Sequence, residues 1–235
     1  MGSFKNQAKL KAVTFSFDDG VTQDIRMIEL LNRYKLKATF NLNSELLGEP
    51  RVMLQQNQRI SHYKVSPKEV KYIYEGHEVA AHTLNHPNLT KLDEAEIIRQ
   101  VEKDRENLKE LVGYEIMGMA YPCGGINHDE RVAGIIRERT KIKYCRTIVN
   151  TDSFGLQKDL YRLNPNVRHR EWERAESMAK SFIEMTPEEP QVFFIWGHSY
   201  EMDFDSSNWA RLEDFFRLIS NRDDIFYGTN AEVFL

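Results

Sequence analysis

Cysteine is nearly absent from this chain: two in 235 residues, Cys123 and Cys145. Two thiols make no disulfide framework, so the fold rests on a packed core, and free thiols in a reducing compartment are the default. Long apolar runs are missing as well. No stretch of roughly eighteen apolar residues occurs, which excludes a membrane-spanning helix, and residues 1–10 lack the apolar centre of a secretory leader. As written the chain reads as cytoplasmic; Met1-Gly2-Ser3 is also compatible with a cloning remnant, and a trimmed leader would make the protein secreted. Charge of one sign is nowhere concentrated. The 32 basic and 36 acidic residues intermix to a formal net charge of −4, so there is no basic block for nucleic acid and no acidic tail. Internal repeats, low-complexity tracts and domain boundaries are also lacking, and this length suits one barrel-type domain or two small ones. Nothing in the composition sets the oligomeric state.

What is present is an alternation of short apolar runs with amphipathic stretches. Strands are expected at 12–17, 38–42, 78–82, 117–121, 144–148, 191–196 and 225–228, seven in all. Helices are expected at 24–34, 66–75, 90–112, 129–139, 172–185 and 208–220. Ser66, Pro67 and Glu69 read as a cap, a first-turn proline and a capping-box glutamate, with Gly76 as the stop. Gly113 closes the longest helix. Such alternation implies a parallel sheet with helices outside, either closed or open. The tract 48–63 is polar and poorly periodic, and reads as an insertion loop over the rim of a site.

The chemistry is concentrated at strand ends. Ser16-Phe17-Asp18-Asp19-Gly20 ends the first apolar run with two carboxylates, and His82-Thr83-Leu84-Asn85-His86 ends the third with two imidazoles four residues apart. Alone, Asp-Asp-Gly suits a tight turn, and a histidine pair at that spacing can share a solvated face. Together, past strands of one sheet, they offer the oxygen and nitrogen donors of an open Asp/His/His metal site. Successive side chains on a strand alternate, so one aspartate can bind a metal while the other stays free as a base. Tyr121, Asp152 and His198 also fall at or just past strand ends. In a barrel, all strand C-termini converge on one face, which favours the closed form.

These residues resemble the polysaccharide deacetylases, the NodB-homology domain of carbohydrate esterase family 4. The two stretches above look like that family's first and second motifs. Ala120-Tyr121-Pro122-Cys123-Gly124 sits where the third belongs, and Ile195-Trp196-Gly197-His198 where the fifth does. The resemblance spans roughly residues 10 to 230. It implies an α/β fold: a distorted (β/α) barrel with about seven parallel strands in a single domain, residues 10–235, preceded by an N-terminal extension, residues 1–9. It implies Asp18 as general base, His198 as general acid, and Asp19, His82 and His86 as ligands of a divalent metal, zinc first, with cobalt, manganese or nickel also accepted. The amide of Cys123 would be an oxyanion donor and Tyr121 a substrate contact. The partner would be a carbohydrate, with no nucleic acid and no membrane. Trp196, Tyr200 and Trp209 are further candidates for stacking on sugar rings.

Two departures from the family pattern stand out. The arginine that usually opens the third motif and pairs with the catalytic aspartate is Ala120 here, and the aspartate-tryptophan signature of the fourth motif is missing. Arg146 and Arg162 are candidates to replace the arginine, Asp152 is the nearest stand-in for the aspartate, and Glu201 is placed to tune His198. Other amide C–N bonds, such as that of a cyclic ureide, are alternative substrates on the same barrel. A carbohydrate-binding protein without turnover is the alternative from another class. A phosphatase is disfavoured, because no phosphate-cradling glycine loop with lysine follows Asp18-Asp19.

Overall fold

The apolar run at the start of the chain becomes the central strand. In the computed structural model, which describes residue 4, residues 8–55 and residues 57–235, β1 (Lys11–Asp18) is buried at all eight positions. Its neighbours follow in chain order as α1 (Asp24–Arg33), β2 (Ala38–Leu42), β3 (Val52–Gln55), β4 (Gln58–Ser61), α2 (Val70–Ile73), β5 (Glu78–Ala81) and α3 (Glu94–Val112). Then come β6 (Gly118–Ala120), α4 (Glu130–Arg139), β7 (Tyr144–Arg146), β8 (Val167–Arg168) and α5 (Trp172–Glu184). The chain ends with β9 (Gln191–Gly197), α6 (Asn208–Ile219), β10 (Ile225–Tyr227) and α7 (Asn230–Phe234). Most of the expected extension, residues 1–3 and 5–7, lies outside the described residues; Phe4 is buried against Phe226.

Seven strands pair in the order β7-β6-β5-β2-β1-β9-β8, all parallel, and β10 adds an eighth beside β1. β2 and β10 share one edge of β1: residues 15–18 face β2, and residues 11–13 face β10. The sheet curls until its two ends nearly meet. Arg146 forms a parallel bridge to Leu163, Leu163 N–H donates to the Cys145 carbonyl at 2.9 Å, and four residues on the same segment becomes β8, paired with β9. The result is a distorted single-domain (β/α) barrel. The layer between the sheet and its outer helices is aromatic, with Phe15, Phe17, Phe40, Phe193 and Phe216 all essentially inaccessible. α1 covers it with Met27, Ile28, Leu30 and Leu31, the apolar face its period-3.6 pattern dictates.

Several boundaries differ from the sequence expectation. The helix expected at 66–75 shrinks to one turn, because Glu69 N–H donates to Ser66 O (2.9 Å) in a turn and no side chain caps α2. The long helix begins at Glu94, where Asp93 accepts from Glu96 N–H at 2.8 Å; residues 89–91 form a separate 3-10 turn capped by Asn88. The tract 48–63 contains the antiparallel hairpin β3–β4. β8 and α7 were not expected.

Candidate active site

Asp18 is the last residue of β1, and its side chain is buried between two donors. Arg146 Nη2 contacts both carboxylate oxygens, and Asn41 Nδ2 donates to Oδ1 at 2.8 Å. Burial alone would raise the pKa of this carboxyl, but Arg146 above all, with the charge of His198, outweighs it and holds the group below its ordinary value. Asp19 does not point away, as strand alternation requires. It leaves the strand with φ +84°, outside the extended region, and its carboxylate swings to the same mouth. Burial opposes its ionisation too. A hydrogen bond from His62 and the charge of Lys64 nonetheless keep Asp19 well below the usual carboxylate range.

The two histidines are not on a helix. His82 follows β5, and His86 ends the loop after it, with Thr83 at φ +68° and His86 at φ +66° folding the chain back until the rings lie 4.9 Å apart. His82 Nδ1 lies 2.8 Å from the Ala120 carbonyl, a contact that makes Nδ1 the protonated nitrogen and leaves Nε2 with a lone pair. His86 Nε2 lies 3.7 Å from Asp19 Oδ1. Burial lowers the pKa of both, His82 to about 4, so both imidazoles are neutral at pH 7. One donor atom from each of Asp19, His82 and His86 lies within 4.8 Å of the other two. A carboxylate and two neutral imidazoles converging in this way fit a divalent cation with an open coordination position.

His198 follows β9 on the opposite wall. Its Nε2 faces Asp18 Oδ2 at 3.9 Å and Asp19 Oδ2 at 4.0 Å, while Nδ1 lies 3.5 Å from Glu201 Oε2. Burial disfavours its protonation, but Glu201 behind it and the two aspartates in front raise its pKa above the ordinary value. Glu201 is itself buried and accepts from His169 Nε2 at 3.0 Å and from Arg168.

These groups surround an open pocket of about 300 Å³, lined also by Tyr121, Cys123, Gly124, Ile148, Arg168, Trp196 and Tyr200. Asp152 is not among them. Its side chain is 90% exposed and pairs with Arg174 at 2.7 Å, because residues 151–153 turn outward; the tuning role expected of it has no geometry here. Tyr121 reaches the pocket wall but is 1% exposed, and its hydroxyl donates to Tyr161 O at 2.9 Å, so it has no free hydroxyl for a substrate. Trp209 is buried under Arg26 and bonded to Asp203, away from the site. Arg162 pairs with Asp159 and Glu130. Cys123 is partly exposed, at φ +71°, with Sγ 3.5 Å from His86 O.

Several participants were not singled out from sequence, Arg168 and His169 on Glu201 among them. Asn41 sits within an apolar strand, where a buried amide is the detectable signal. His62 and Lys64 follow β4: His62 Nε2 is 3.3 Å from Asp19 Oδ2, and Lys64 Nζ donates to the Asp19 carbonyl at 2.6 Å. They lie in a polar tract with no periodicity to mark them.

The family model described as polysaccharide deacetylase matches residues 5–136, more than half of the chain. A peptidoglycan-N-acetylglucosamine deacetylase of Bacillus cereus is 34% identical over 117 residues, covering 48% of this chain and 37% of the relative. The peptidoglycan-N-acetylmuramic acid deacetylase PdaC of Bacillus subtilis is 28% identical over 123 residues, covering 52% and 23% respectively. The chain thus spans well under half the length of these relatives. In fold, a putative polysaccharide deacetylase from Mycobacterium smegmatis superposes with TM-score 0.71 at 14% identity, covering 99% of this chain and 92% of that one.

Proposed function

Because the chain belongs to the polysaccharide deacetylase family, we propose that it is a metal-dependent hydrolase. Its reaction is removal of N-acetyl groups from N-acetylglucosamine-type sugars in oligo- or polysaccharides. The observation that carries this reading is one juxtaposition: a carboxylate, Asp18, beside three convergent metal donors, with the raised-pKa His198 across the mouth.

Asp19, His82 and His86 would hold the ion, zinc first and cobalt, manganese or nickel as competitors. When bound, it supplies Lewis acidity, polarising the acetamide carbonyl and easing deprotonation of water. The rest falls to the protein. Asp18 takes a proton from the attacking water at Oδ2; its Oδ1 is engaged by Asn41 as well as Arg146. The new C–O bond places charge on the carbonyl oxygen, toward which the Cys123 N–H is the candidate donor. The C–N bond then breaks, and His198 gives its Nε2 proton to the leaving amine. Acetate and a free amino sugar result. Trp196, Tyr200 and Arg168 form the pocket wall available to the sugar.

The test is acetate release from N-acetylglucosamine oligomers of increasing length, with chelated and then metal-reconstituted protein beside Asp18→Asn. Release only with metal, falling at least 100-fold in the variant, is the expected result. No acetate under any metal, with metal still bound, overturns the reading.

A further inference from the structure

The third motif lacks its arginine, yet Asp18 does not lack a guanidinium. Ala120 on β6 and Arg146 on β7 are register partners in a parallel pair, so their side chains leave the sheet on the same face. Arg146 is fully buried and contacts both oxygens of Asp18. Its plane is fixed by the Trp196 ring, 4.8 Å from the guanidinium carbon, and by Nη1 donating to Thr147 O at 3.1 Å. Its Nε–H is buried with no partner among the described residues, so the group is aimed at Asp18 even though one donor is left unused. Arg168 and Arg162, the other arginines in this region, are committed to Glu201 and to Asp159 with Glu130.

We infer that Arg146 is the positioning residue for Asp18, and that the guanidinium missing from the third motif has moved one strand along the sheet. This rests on Asp18 acting as the base proposed above. A guanidinium that spans both oxygens fixes the carboxylate plane, and with Asn41 it fixes which oxygen faces the pocket. Arg146 acts on the reaction only through Asp18, and either strand position can deliver it.

Two comparisons test this on the metal-loaded protein, with folding followed by circular dichroism and metal content by elemental analysis. In the first, Arg146→Gln lowers kcat by about 100-fold with KM within about threefold, as misplacement of a reacting group does. In an Asp18→Asn background the same change costs nothing further. Equal losses in both backgrounds, or a kcat within threefold of the parent, overturn the proposal. In the second, Ala120→Arg combined with Arg146→Ala regains at least tenfold over Arg146→Ala alone, or over Arg146→Gln if the alanine variant does not fold. A folded, metal-loaded double variant with no regain overturns it too. If the parent releases no acetate, the proposed reaction fails separately, and crystal structures decide. An Asp18 carboxylate that turns away in Arg146→Gln supports the inference, and one that keeps its orientation overturns it.

Discussion

At the scale of single residues, the site is assembled from backbone that its own side chains disfavour. Seven non-glycine residues have positive φ among those described, and Asp19, Thr83, His86 and Cys123 are four of them. Each such residue costs of order 1 kcal/mol or more, a cost the packed barrel offsets. This strain is why the site was only partly legible. Residue types and spacing disclosed Asp18, Asp19, His82 and His86, but alternation along an extended strand predicted that the two aspartates diverge, and the left-handed turn at Asp19 brings them together. Arg146 was legible only as one of two candidate partners for Asp18, and its register beside Ala120 decides for it over Arg162. Under the proposed reaction Glu201 tunes His198, and its removal has a definite sign. Glu201→Gln takes away the charge that raises the His198 pKa, so the protonated acid is lost at lower pH. The alkaline limb of the kcat/KM profile should move to lower pH; an unmoved limb removes Glu201 from the mechanism.

At the scale of elements, the strands that carry the chemistry are short, and their spacing depends on small residues. Gly118 on β6 has the Tyr144 ring of β7 where a Cβ would stand. That ring is fully buried, and its hydroxyl donates to Glu78 Oε1 at 2.8 Å. Gly118→Ala should therefore push β6 and β7 apart, costing about 1–3 kcal/mol, and so lower Tm by roughly 2–4 °C per kcal/mol. Because β7 ends in Arg146, activity should fall with it; an unchanged Tm would show that Tyr144 swings clear. The long, periodic helices and the apolar strands were legible at this scale. β8, two residues long, is too short to have a period, and the hairpin β3–β4 is mostly solvated on both faces. The Thr229–Glu232 capping box that starts α7 is a sequence signal, but the five-residue helix it opens is too short to show a period.

At the scale of the whole molecule, alternating elements pointed to a parallel α/β sheet, and convergence of polar residues at strand ends chose the closed form. The near-closure through Leu163 was not legible, since a single bridge leaves no pattern in sequence. Ion binding to a preformed trio should stabilise the entire domain. At a hundredfold excess over Kd the gain is about 2.7 kcal/mol, so thermal unfolding with chelator should precede that of the zinc-loaded protein by several degrees, and Asp19→Asn should abolish the difference. A Tm indifferent to chelation would mean that these donors hold no ion. The strand order also bears on how the protein is made. β1 is made before every strand it pairs with, and of those partners β9 and β10 come last. At ordinary rates of synthesis the edge that β9 takes stays open for on the order of ten seconds. All three candidate metal donors are translated by residue 86, before Arg146 and His198 exist. A nascent chain therefore carries the candidate ligands well before the barrel around them can close.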